Sequence, residues 1–300
     1  MLTVVLGLGS ALGYALHDFL MVKVVRAAAV WTALTWSMAV GVAILVPLAL
    51  LTDGPPSGSV EWRAVAFAAV SGVCEAAGLG CLLRGLVIGN LSVVTPLASL
   101  AGGFVAVIMV VRGEPLPALA LLGLPLAVAG GLMASLEKAP KDEVFGPDEH
   151  AGRAVGGAAP ARRTRATAGA GWALLSSALF SVTVLLFVEA GALRPVALAA
   201  YGRLGTMVVL VPVALLLAGL RLPRALARRA AFAGVFDAAA FVALAAAISI
   251  GPVAIASVVV SQGGTMAALL GLFVLHERLS RVQIAGVALT CVAVALLATG

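Results

Sequence analysis

GVCEAAG at residues 72–78 and GVFDAAA at residues 234–240 are one phrase written twice, 162 positions apart. Each copy sets a single acid, Glu75 or Asp237, inside an otherwise apolar run. A carboxylate near the centre of a bilayer costs roughly 3 kcal/mol or more unless it is neutralised or watered. Two acids at matching places in two matching runs therefore ask for a shared explanation.

The rest of the chain says that the runs are membrane spans. Hydrophobic residues make up 62% of the 300 positions and charged residues 11%, against about 25% charged in a soluble domain. The charges cluster, and between them lie apolar runs of about twenty residues, long enough to cross the roughly 30 Å hydrocarbon core as helices. The expectation is an all-α polytopic membrane protein with ten transmembrane helices, over about 2–22, 30–51, 62–83, 91–111, 116–136, 170–189, 196–218, 228–248, 252–274 and 281–299. Thirty-four glycines and few aromatics suit helices that approach closely in lipid. The net charge of +6 reads as topology rather than as a nucleic-acid patch, because the arginines fall at helix ends and in loops. Cys74, Cys81 and Cys291 lie in apolar segments, so no disulfide framework is implied, and no metal-ligand spacing or cofactor motif is present. The first apolar stretch lacks a basic leader and carries Asp18, unlike a cleaved signal peptide.

The shift that aligns the acids aligns more. It pairs Ile88-Gly89 with Ile250-Gly251, Thr95 with Ser257, Ser99 with Ser261 and Gly102 with Gly264. One inserted residue later, GEPL at 113–116 falls on HERL at 276–279. The chain thus divides into a first five-helix repeat over 1–136, a hydrophilic flexible linker over 137–169 rich in Pro, Gly, Ala and charge, and a second repeat over 170–300. Five is odd, so the second repeat must enter the membrane from the opposite side. Inverted repeats of this kind place a substrate site near the midplane around a central cavity, reached alternately from the two faces. Glu75 and Asp237 fall about thirteen and nine residues into their spans, close to that depth. Most basic loop residues, among them Lys23, Arg84, Arg221, Arg224 and the linker's six, lie on one face, with Arg63, Arg112 and Arg194 on the other. The positive-inside rule makes the richer face cytoplasmic and puts both termini outside.

With ten spans, two five-span halves, and the Glu-bearing turns GEPL and HERL ahead of spans five and ten, the sequence resembles the EamA branch of the drug/metabolite transporter superfamily. HERLSRVQIAG resembles that family's short E-R-L turn into a closing helix with a conspicuous Gly. The resemblance covers almost all of the chain except the linker. It implies a basket of ten helices moving small metabolites, often outward. It also implies cytoplasmic termini, the reverse of the charge count.

Glu75 and Asp237 are the candidates for proton coupling or substrate binding. A carboxyl desolvated among apolar helices has its protonated form favoured, which a proton gradient could load and unload; the competing reading is a pair of structural acids bonded to neighbouring helices. Thr95 and Ser99, and Ser257 and Ser261, make polar stripes at helical spacing, extended by Gln262. They are candidates to line the substrate cavity, set against hydroxyls that bond back to their own helix or hold helices together. Tyr14 and Asp18 share a face of span one, next to His17, and Trp36 and Tyr201 are the large polar-tipped rings of spans two and seven. These five join the cavity candidates, with packing, ion pairing and interfacial anchoring as the alternatives. Glu114 and Glu277 read as caps of the closing helices, and Glu189 with Arg203 as an ion pair across the turn between spans six and seven.

These features point to a secondary active transporter of a small metabolite or drug in the cell membrane, proton-coupled and exporting. The partners are the substrate, protons and the lipid bilayer, without nucleic acid. An uncoupled facilitator of a cationic or polar metabolite is the nearest alternative. A membrane-embedded lipid-processing enzyme is the alternative of another class; it would need clustered catalytic groups that the scattered histidines do not supply. A fused pair of repeats needs no second chain to complete its cavity.

Overall fold

Hydropathy predicts helices, and the computed structural model, which describes residues 1–25, 27–88, 91–135, 162–274 and 280–299, is built of them. In the first half they are α1 (Leu2–Val25), α2 (Val30–Thr52), α3 (Ser59–Ile88), α4 (Leu91–Ala98), α5 (Ala101–Val111) and α6 (Ala118–Ser135). In the second they are α7 (Arg162–Glu189), α8 (Pro195–Leu217), α9 (Arg224–Ile250), α10 (Val253–Val260), α11 (Gly263–Val274) and α12 (Arg281–Thr299). Nine helices among the described residues are long and apolar enough to cross a membrane, α10 and α11 together counting as one, and Pro96–Val111 forms a shorter apolar helix. The fourth expected span is thus an interrupted one. The linker reading also needs trimming. Helix α7 starts at Arg162, inside the stretch 137–169, because Arg and Ala in RRTRATAGA are good helix formers. Residues 136–161 and 275–279, with Glu277, lie outside the described residues.

The side chains are sorted as lipid requires. The buried set is dominated by alanine, whereas Leu51, Val111, Leu216 and Phe273 are exposed. With lipid as apolar as leucine, bulk gains nothing by turning inward, and small residues let backbones touch. A Cβ on Gly72 would collide with the Gly202 carbonyl on α8, and one on Gly234 with the Ser37 carbonyl on α2. These glycines are required by proximity.

The strongest packing joins the halves. Helix α3 lies on α7 and α8, α9 lies on α1 and α2, α2 on α8, and α6 on α12. Exchanging the halves turns the contacts of α3 into those of α9.

The two interruptions occur at equivalent residues. Span four breaks at Ser99-Leu100 and span nine at Ser261-Gln262. In each, the serine hydroxyl donates to the carbonyl three residues back, Pro96 or Val258, at 2.8 Å. The next amide also turns back three residues, Leu100 to Leu97 at 3.3 Å and Gln262 to Val259 at 3.1 Å. Pro96 has no counterpart at Val258, so proline is not the common cause. The shared device is a serine that tightens one turn to 3₁₀ form.

Candidate functional site

Near the middle of their helices, Glu75 on α3 and Asp237 on α9 converge on Arg203 of α8. Arg203 is 0% exposed. Its Nη1 donates to both oxygens of Glu75 at 2.7 Å, and its Nη2 donates to Asp237 Oδ1 at 2.9 Å. Thr206, one turn beyond Arg203 on the same helix face, donates from Oγ1 to Glu75 Oε2 at 2.8 Å. The Phe241 ring lies against the guanidinium, its centroid 3.6 Å from Cζ, and leans edge-on against Phe187 of α7. The Tyr14 phenol of α1 faces the same guanidinium. Gly41, which the 162-residue shift aligns with Arg203, packs against the arginine's aliphatic stem on α2.

Charge counting defines what this cluster can do. One guanidinium and two carboxylates, all ionised, carry a net charge of −1. A desolvated group of that charge is balanced by one proton or one further cation. The two acids are not equivalent: the Glu75 side chain retains 11% exposure and that of Asp237 only 3%. Asp237 Oδ2 and Arg203 Nε are buried without a hydrogen-bond partner among the described residues. The arrangement is a paired network with one acceptor and one donor left over.

The centre of this site was missed in the sequence. Arg203 was expected to pair with Glu189; instead Glu189 meets Arg112 at 3.4 Å. The reason is depth. Arg203 lies eight residues past Pro195, about 12 Å along the helix axis, too far inside to reach the turn. The signal was an arginine so deep in an apolar run. Thr206 was missed with it.

The remaining candidates separate. His17 is buried, with Nδ1 at 3.0 Å from Asp18 Oδ1 and Nε2 at 3.1 Å from Ser37 Oγ. Asp18 therefore meets His17. Ser257 donates to the Gly102 carbonyl of α5 and to Ala254, and Ser261 to Val258. Gln262 is 1% exposed, its amide nitrogen donating to Ala127 and Val258 and its oxygen accepting from Thr265 and Thr290. In the serine–glutamine stripe every hydroxyl and amide is satisfied by helix carbonyls or neighbouring side chains, so these groups make helix contacts. Ser99 bonds within its own break, and the side chain of Thr95 lies outside the described residues. Trp36 is exposed, its indole donating to the Leu220 carbonyl after α8 at 2.9 Å. Tyr201 is partly buried against the main apolar core.

Glu114 also departs from expectation. Its carboxylate does not cap its own closing helix. It accepts from the Val253 and Ala254 amides at 2.6 and 2.9 Å, so it caps α10 of the other half. Those amides are unpaired within α10 and carry the positive end of its dipole.

A family model described as "EamA-like transporter family" matches residues 1–136 and 167–299. A solved structure, titled only as a crystal structure of a protein, superposes with a TM-score of 0.76 at 14% identity, covering 99% of this chain and 97% of that one. That likeness concerns the fold alone. No curated protein matches the sequence.

Proposed function

The chain belongs to the EamA-like transporter family, a multi-pass membrane transporter family of the drug/metabolite superfamily, and on that premise we propose a proton-coupled secondary transporter of a small metabolite or drug in the plasma or inner membrane. Its two five-helix units, 1–136 and 170–300, are related by inverted topology and open alternately to the two faces. The observation that carries the coupling is the buried Glu75–Arg203–Asp237 network, in which two carboxylates share one guanidinium.

The network joins the halves, since Glu75 comes from the first and Arg203 and Asp237 from the second. Protonating one carboxylate neutralises the cluster and weakens one of the two attachments of Arg203 from an ion pair to a neutral hydrogen bond. That changes the interaction between α3 and the α8–α9 pair. A proton can shift an equilibrium between inward- and outward-facing states only through such a difference in binding. A cationic substrate could take the proton's place at the same charge deficit, which is how an uncoupled facilitator would use the site.

A screen of cells with and without the protein against metabolites and drugs supplies the substrate. Reconstituted protein then decides the mechanism. An imposed pH gradient should drive uptake of that compound, and Glu75→Gln or Asp237→Asn should abolish gradient-driven flux while leaving substrate exchange at equal pH. Undiminished gradient-driven flux in both variants would end the coupled reading.

A further inference from the structure

We infer that His17 is a proton relay between Asp18 and Asp237, giving the enclosed acid of the network its own path to water. The inference rests on the proton-coupled reading above and deepens it. It begins from the unequal burial of the two acids. Glu75 retains a little exposure, whereas Asp237 is nearly sealed, which hinders direct proton exchange between Asp237 and solvent.

The geometry of α1 against α9 supplies a route. The two helices run antiparallel: Thr3 meets Gly251, the Ser10 hydroxyl donates to the Ala240 carbonyl at 2.8 Å, and Gly13 fits against Phe236 and Ala240. One turn beyond Gly13, on the same face, His17 reaches the level of Gly234. Its Nε2 contacts Ser37 Oγ, and Ser37 is the residue whose backbone carbonyl abuts Gly234. Asp237 is the next turn of α9, about 5 Å along the axis. On the outward side, Nδ1 contacts Asp18, whose side chain is 78% exposed while that of His17 is 7% exposed. Asp18 lies one turn from Tyr14, whose phenol faces Arg203, and so shares its face of α1.

An imidazole can take a proton at one nitrogen and release one from the other. A proton passed from Asp18 to Nδ1, and one released from Nε2 to the Ser37 hydroxyl, leave the histidine's charge unchanged. The serine, with one water, hands the proton to Asp237 Oδ2, the buried oxygen that has no partner. The ionisable groups facing His17 are Asp18 on its own helix, Asp237 from α9 and Arg203 from α8; α2 adds the Ser37 hydroxyl. The shift that relates the halves puts Leu179 and Phe180 where His17 and Asp18 stand. The relay therefore serves one membrane face, and only one of the two acids.

The test needs no substrate. Full-length protein in lipid nanodiscs is given a rapid pH jump, and the carboxylic C=O band is followed by time-resolved infrared absorption. The Asp237 component is the part lost in Asp237→Asn. His17→Asn should slow its rise on the order of ten- to a hundredfold, as removal of a positioned acid–base group does, with the final amplitude retained. Imidazole or azide, as diffusible carriers, should restore the rate, which a merely structural histidine would not allow. Asp18→Asn, an exposed change that leaves the buried ring in place, should also slow the rise. An unchanged rate in both variants, or no rescue in folded His17→Asn, overturns the relay and leaves the coupled reading standing. Absence of any Asp237 component in the unaltered protein overturns the relay and leaves Glu75 as the acid that carries the coupling.

Discussion

At the Arg203 guanidinium, charge balance ranks the effects of substitution. Replacing Glu75 by Gln or Asp237 by Asn leaves one carboxylate against one guanidinium, a matched pair. Replacing Arg203 by Leu leaves two carboxylates facing each other in packed helices. Removing one partner of a buried pair costs about 3–5 kcal/mol, so Arg203→Leu should show the lowest unfolding temperature of the three in detergent. Adding Glu75→Gln and Asp237→Asn to Arg203→Leu should recover part of the loss, since no unpaired charge then remains. If Arg203→Leu unfolds at the temperature of the single acid variants, the network is not what holds these helices together. The acids were legible in the sequence because they stood out twice, at the same place in each half. Arg203 was not, because its counterpart is Gly41. Where the two halves meet, one long side chain fills the space of two, and a repeat read by its matches passes over it.

Among the elements, the short helix α10 carries the next prediction. Its first amides are capped by Glu114 from the other half, so Glu114 couples a helix end to a loop 139 residues away. Glu114→Gln keeps one acceptor and loses the charge, and should cost about 0.3–1 kcal/mol, up to about 2 in partly buried settings. Glu114→Ala leaves both amides unpaired and should cost more. Thermal unfolding of the two variants gives the order; equal and negligible shifts would mean that water caps α10 equally well. The sequence placed Glu114 at a turn and suggested capping, but a motif next to a helix suggests that helix. Which amides it meets depends on how the halves dock. The serine stripes show the same gap: spacing put Ser257 and Ser261 on one helix face, whereas only docking against α5 settled what that face met.

Over the whole molecule, attachment between the halves outweighs attachment within them. The main helix pairings, α3 with α7 and α8, α9 with α1 and α2, and α6 with α12, all cross from one half to the other. The described charged contacts at one end of the bundle do the same: Arg112 meets Glu189, Arg194 meets Asp53 at 3.3 Å, and Glu114 meets α10. The exposed Arg112–Glu189 pair adds at most about 1 kcal/mol, so cohesion rests chiefly on packing and on the buried network. This was legible from the repeat only as a likeness between two units. The pairing of α3 with α8 and α9 with α2 relies on the close approach at Gly72 and Gly234, glycines that in sequence look like any others in a chain with thirty-four. The consequence is testable without a substrate. The connection between the halves should be dispensable, because neither half can satisfy its inner face alone: the first would expose Glu75, the second Arg203 and the cap-seeking end of α10. Expressed as two chains divided between residues 136 and 162, with a tag on the first only, the halves should copurify in equal amounts, and Glu75→Gln should weaken that association less than Arg203→Leu. A tagged first half that purifies folded and alone would show that five helices can bury Glu75 without Arg203, and the joint site would then not be a requirement of the fold.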